Sequence, residues 1–153
     1  MITLDQIEIV QKNWGDGIVK MGSLKSNFKL CKEFTSIFLL DTYNLKAGKI
    51  LFKPTKASKE QFRPNFEMVM SYFIGGEDSF CKEDQGFAMK PWAKVSFENS
   101  GFIFEESRAI VMGNYFFTDL NGDTTKVEYS FGYKLINSKL YIDLHHSSLP
   151  FSL

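Results

Sequence analysis

Apolar residues recur at spacings of three and four through the first half of the chain and alternate with polar ones through the second. The pattern therefore predicts helices first and strands afterwards. Leu4, Ile7, Val10, Trp14, Ile18 and Met21 form one helical stripe that closes near Gly22. Thr3-Leu4-Asp5-Gln6 at its start, a threonine followed three residues later by glutamine, has the form of a capping box. A second stripe, Phe28, Cys31, Phe34, Ile37, Phe38 and Leu40, predicts a helix running to about Tyr43. Ile50-Leu51-Phe52 reads as a short extended piece ending at Pro54, because proline pushes Lys53 out of helical geometry. Ser58-Lys59-Glu60-Gln61 repeats the capping form. It predicts a third helix through Met68, Val69 and Tyr72 to Gly75-Gly76, kinked or split where Pro64 removes a backbone donor.

The stretch from Gly76 to Pro91 reads as a polar loop anchored by Phe80 and Phe87. Strand signals follow. Val95 and Phe97 alternate ahead of a turn at Asn99-Ser100-Gly101, and Phe102 and Phe104 lie beyond it. Ala109 to Thr118 is rich in strand formers, and Asn121-Gly122 is the strongest hairpin signal because both positions accept positive φ. Thr125 to Ile136 returns, Asn137-Ser138 turns, and Leu140 to Pro150 closes the chain. Helices followed by a meander predict an α+β fold, with the N-terminal helices packed on one face of a curved antiparallel sheet. With no internal repeat or linker, residues 1–153 read as a single domain.

Composition sharpens this picture in three places. Sixteen phenylalanines, six tyrosines and two tryptophans favour a sheet-based core, an aromatic pocket or a subunit interface, with plain core packing accounting for most of them. Eighteen basic residues balance eighteen acidic ones and are scattered, so no field gathers nucleic acid or anionic lipid. No stretch approaches the length of a membrane span. Cys31 and Cys81 supply neither zinc spacing nor a disulfide framework, and the first residues lack a basic region followed by an apolar run. A cytoplasmic protein with two reduced thiols is the expectation.

Candidate chemistry concentrates in the last strand, which holds both of the chain's histidines. Leu140, Ile142 and Leu144 share one face, and strict alternation continues that face through His146 and Ser148. His145 and Ser147 then fall on the polar side. Adjacent histidines on a strand point opposite ways, so they do not chelate one ion, and no third histidine completes a zinc site that Asp143 or Glu128 would otherwise have to supply. Neither Ser147 nor Ser148 sits in a nucleophile-elbow glycine pattern. Two readings stay open. Thr55, Tyr72, His146 and Ser148 gather at the end of an apolar cavity and orient a water by hydrogen bonds, or the same groups satisfy buried polar partners.

An ordered set of motifs resembles a known family. Leu51-Phe52-Lys53-Pro54-Thr55-Lys56-Ala57, Ser71-Tyr72-Phe73-Ile74-Gly75-Gly76, Asp84-Gln85-Gly86-Phe87-Ala88, Pro91-Trp92-Ala93-Lys94-Val95 and the terminal His145-His146-Ser147-Ser148-Leu149-Pro150 occur in that order. This is similar to the iota-class carbonic anhydrases, which share the association-domain fold of calcium/calmodulin-dependent protein kinase within the nuclear transport factor 2-like superfamily. The resemblance implies a cone-shaped, cystatin-like fold and reversible hydration of carbon dioxide to bicarbonate, in many members without a metal and in some with manganese. It also implies a pocket built from a threonine, a tyrosine and a histidine–serine pair. Carried over, these are Thr55 and Tyr72 with His146 and Ser148 as catalytic residues, or with His145 and Ser147 if a bulge reverses the facing of the strand. A homodimer is expected. Pro64 and Ser100 depart from the pattern, and Pro64 puts the helix carrying Tyr72 in question. The rival reading is a non-catalytic oligomerisation or small-ligand-binding module, since fold does not dictate function.

Overall fold

The computed structural model describes residues 1–153 as three helices packed against one face of a five-stranded sheet. Helix α1, Leu4–Ser23, starts as its sequence dictates. The Thr3 side chain accepts from the Gln6 backbone, and the Gln6 side chain accepts from the Thr3 backbone. Helix α2, Phe28–Thr42, is capped by Asn27 and buries Cys31, Thr35, Leu39 and Thr42. Its inward stripe is rotated from the expected one, leaving Ile37 73% exposed while Phe34 and Phe38 are partly covered.

The third helix corrects its forecast. Helix α3 spans only Phe66–Ile74, begins after Pro64 and is capped by Asn65, whose side chain accepts from the Met68 backbone at 3.1 Å. Pro64 therefore kinks nothing. The Ser58 box caps no helix: the Ser58, Lys59 and Glu60 backbone N–H groups donate instead to the Glu83 carboxylate at 2.7–2.9 Å. Glycine ends α3 for a steric reason. Gly75 has φ +56°, and a Cβ there would lie 2.8 Å from the Gln85 backbone.

The remaining elements are strands β1 (Leu51–Lys53), β2 (Trp92–Phe104), β3 (Arg108–Asp119), β4 (Thr124–Ile136) and β5 (Lys139–Ser148), with one 3₁₀ turn at Phe87–Met89. Their order across the sheet is β1-β5-β4-β3-β2. Four strands form the expected antiparallel meander, and β1 joins its edge in parallel with β5. Asn99-Ser100-Gly101 is not a turn but a bulge inside one continuous strand. There the Asn99 amide faces the buried Gln11 of α1 and exchanges two hydrogen bonds with it, at 2.8 and 2.9 Å. Tight turning falls to Asn137 and Ser138, both at positive φ, whereas Asn121-Gly122 lies in a four-residue connection where only Gly122 is left-handed. In the loop before β2, Phe80 is exposed and Cys81 is the buried anchor, its N–H donating to Ser71 Oγ at 3.0 Å.

One fully buried cation ties the middle of the chain together. Arg63 donates two hydrogen bonds to Asp84, at 2.7 and 2.8 Å, and others to the Glu60 and Met68 carbonyls. Ser71 also donates to Asp84 at 2.6 Å. Bidentate pairing of this kind fixes geometry as well as charge, so the segment before α3, the helix itself and the loop after it are clamped as one body. Because the cap and the false cap differ in what they satisfy, their substitutions separate. Asn65→Ala is expected to lower unfolding free energy by about 1 kcal/mol, and Ser58→Ala by clearly less, as read from urea denaturation midpoints.

Candidate functional site

Where β5 approaches its end, the sheet changes register. Gly132 of β4 pairs with Leu144 and Tyr133 with Ile142, so Asp143 is one extra residue opposite no partner. A bulge of this kind interrupts alternation. Leu140 and Ile142 face the helices, but beyond Asp143 it is His145 and Ser147 that turn inward, with 2% and 1% exposure. The outward facing of His146 and Ser148 corrects the strict alternation expected from Leu140. His146 is exposed, Ser148 is half-buried, and both line the solvent face of the sheet beside Met112, Asn114 and Ser130.

Two features hold the bulge. Arg108 donates to both Asp143 carboxylate oxygens at 2.9 and 3.0 Å. Gly132 leaves the room, since a Cβ at that position would meet Leu144 Cβ at 2.8 Å and an Asp143 carboxylate oxygen at 3.2 Å.

Once inside, His145 is stacked on Phe52 at 4.5 Å and meets the edge of Phe131 at 4.4 Å. The Tyr43 hydroxyl lies 2.8 Å from its Nδ1, and the Tyr115 hydroxyl and Ser147 Oγ each lie 3.0 Å from its Nε2. Tyr115 and Ser147 are hydrogen-bonded to each other. Trp14 Nε1–H donates to the Tyr43 hydroxyl at 2.9 Å, and the indole stacks on Tyr115. In the sequence Trp14 was one residue of a helical stripe, Tyr43 the approximate end of the second helix, and Tyr115 one residue in a run of strand formers.

Thr55 and Tyr72 close the other side. Phe52 of β1 pairs with His145 of β5, so the chain leaving β1 through Pro54 carries Thr55 to the end of β5 where Ser147 sits. Tyr72 projects from α3, accepts from the Lys56 N–H at 3.4 Å, and has the Arg63 guanidinium 5.9 Å from its ring. Thr55, Tyr72, Tyr115, His145 and Ser147 thus share one cavity walled by aromatic rings. About 10 Å³ of it is free for the centre of a water molecule, room for about one water. Tyr72 and Phe87, stacked at 5.7 Å, also line an open cleft of about 550 Å³ whose rim bears Lys56 and Lys90.

Burial sets the electrostatics. It holds the Tyr72, Tyr115 and Tyr43 phenols above their ordinary range, against smaller opposing hydrogen bonds that include Thr55 on Tyr72 and Tyr115 and Trp14 on Tyr43. Burial also holds His145 well below 6.5, with neighbouring His146 adding to it. The cluster is therefore uncharged at neutral pH. Its donors are hydroxyls and one imidazole, without a carboxylate, and nowhere in the chain do three His, Cys, Asp or Glu side chains gather as a metal site. Manganese favours carboxylate, carbonyl and water oxygens, so these residues do not fit it.

Comparison with known proteins shows the family and the fold. The family model for metal-independent carbonic anhydrase matches residues 5–149. A metal-independent carbonic anhydrase from Nostoc sp. (strain PCC 7120) is 34% identical over an alignment covering 98% of this chain and 75% of the relative. The crystal structure of a cyanobacterial iota-carbonic anhydrase in complex with bicarbonate superposes with a TM-score of 0.94 at 32% identity, covering 99% of this chain and 94% of that one. A structure assigned as a calcium/calmodulin-dependent protein kinase II association domain, from Xanthomonas campestris, gives 0.68 at 20% identity over 100% and 91% of the two chains. That last likeness shows the fold alone, the nuclear transport factor 2-like one.

Burying His145 uncharged has a thermodynamic signature. The unfolded chain binds its proton near pH 6.5 and the native state resists it, so the unfolded state holds more protons as pH falls. Stability is expected to decline below pH 6.5 by about 1.4 kcal/mol per pH unit and to be level above it. Glu83, lowered to about 2 chiefly by the Glu60 N–H and then by that of Ser58, acts in a separate window below 4.5. Urea titrations between pH 8 and 5 check the slope, which His145→Gln should remove.

Proposed function

This chain belongs to the metal-independent carbonic anhydrase family, and we propose that it hydrates carbon dioxide reversibly to bicarbonate at the Thr55–Tyr72–Tyr115–His145–Ser147 cluster. One observation carries the reading: uncharged hydroxyls and a neutral imidazole converge on a space the size of a water inside an aromatic wall. The rings suit an apolar gas. The hydroxyls suit a water oxygen before reaction and the bicarbonate oxygens after it.

In the forward step the water oxygen forms a bond to carbon. One C=O π pair moves onto its oxygen, and an O–H bond of the water breaks, giving bicarbonate and a proton. Hydrogen-bond donors from Tyr72 and from one member of the Ser147–Tyr115 pair meet the oxygen that gains charge. Thr55, the half-buried hydroxyl of the group, passes the proton outward. Rate enhancement rests on holding water against carbon dioxide rather than on generating hydroxide.

The small free volume is the one observation that favours the rival, a non-catalytic module of the same fold, because a triatomic guest must displace the wall slightly to enter. Stopped-flow hydration assays separate the two. Metal-stripped protein is expected to exceed the uncatalysed rate and to be unchanged by added manganese. Thr55→Ala and Tyr72→Phe are each expected to lower kcat/KM on the order of 100-fold with the fold intact by circular dichroism. A background rate in both stripped and manganese-supplemented protein would leave only the module.

We also infer a homodimer formed through the solvent face of the sheet, and a cytoplasmic setting in keeping with two free, buried thiols. Register places Ile103, Ile110 and Met112 together on that face, with Ile103 and Met112 about 60% exposed. Sedimentation equilibrium should give the mass of two chains for the native protein and of one for Met112→Lys.

A further inference from the structure

The hydrogen bonds behind the cavity have a direction. Indole Nε1–H only donates, so the Tyr43 oxygen accepts from Trp14. Tyr43 is fully buried, and its one proton has a single acceptor in reach, Nδ1 of His145 at 2.8 Å. The reverse arrangement, with Nδ1–H donating to Tyr43, would give the phenol oxygen two donors and leave the phenolic proton unpaired in the core, which buried polar groups avoid.

We propose that Trp14 and Tyr43 are positioning residues that lock His145 in its Nε2–H tautomer, so that the imidazole donates into the active site and does not act there as a base. The consequences follow by counting protons. Nε2–H is directed at two oxygens, Tyr115 and Ser147, each 3.0 Å away. Those two hydroxyls carry two protons, and one is used between them. The other is left to point into the cavity, toward an oxygen that becomes negative. A chain running from Trp14 on α1 through Tyr43 and His145 to Ser147 or Tyr115 delivers a donor to the substrate with no charged group in the line. The assignment rests on the carbonic anhydrase reading for its purpose but not for its geometry.

Nitrogen-15 NMR of uniformly labelled protein tests it, because long-range nitrogen–proton correlations distinguish the two tautomers. The chain has only two histidines, and His146→Gln assigns the signals. Native protein is expected to show His145 as the Nε2–H form from pH 7 to 9. Trp14→Phe, which keeps a ring but removes the N–H, should yield a mixture of tautomers. Tyr43→Phe should yield the Nδ1–H form or a mixture, with kcat for hydration down on the order of tenfold, less than for loss of a donor that touches the oxyanion. A native Nδ1–H form, or an unchanged Nε2–H form in both variants, overturns the lock. If either variant does not fold, the native tautomer alone decides. Background hydration by native protein that shows the Nε2–H form would instead sink the carbonic anhydrase reading and leave the lock standing.

Discussion

The β-bulge at Asp143 is the constraint on which the site depends. A strand of ten residues cannot place Ile142 and His145 on the same face without an extra residue between them, because alternation has a period of two. The extra residue is tolerated here since Gly132 opposite lacks a side chain, and it is held outward since Arg108 grips the Asp143 carboxylate. Everything inward of that point follows: the imidazole stacked on Phe52, the Ser147 hydroxyl beside Tyr115, and the pairing of β1 along β5 that brings Thr55 across.

A second theme is charge, or its absence at the centre. The buried ion pair of the protein, Arg63 with Asp84, lies behind Tyr72 rather than in the cavity. It satisfies its own donors and acceptors and keeps the segment before α3 from drifting. Inside the cavity burial keeps the phenols protonated and the His145 imidazole neutral. Such a site has only directed dipoles to offer a reacting molecule. Their strength comes from exclusion of water and from being held in place before the substrate arrives, which is why a network reaching back to Trp14 on α1 matters to chemistry at the end of β5.

Much of this was legible beforehand. The α1 capping box, the α2 span and the helices-then-meander order read directly from local pattern, while the motifs holding Thr55 and Tyr72 stood out by their resemblance to a family. What failed did so for identifiable reasons. Ser58 imitates a helix cap, but Pro64 delays the helix, and the acceptor its backbone finds is Glu83, twenty-five residues away. Asn99-Ser100-Gly101 has turn composition, yet pairing with β3 on one side and the Gln11 amide from α1 carry the strand through it. Tyr43 at a helix end and Tyr115 within a strand looked like any other tyrosines until their hydroxyls were found aimed at one imidazole.

The chain by itself determined most of its elements and its fold class, because capping and periodicity are local properties. It favoured His146 and Ser148 by strict alternation, since nothing local marks the extra residue at Asp143. The facing of the strand belongs to β4 and Arg108, far away along the chain, whose fit against Asp143 sets the register. Only the folded sheet brings them to bear, and so only tertiary structure decided that His145 and Ser147 face the cavity while His146 and Ser148 face the solvent.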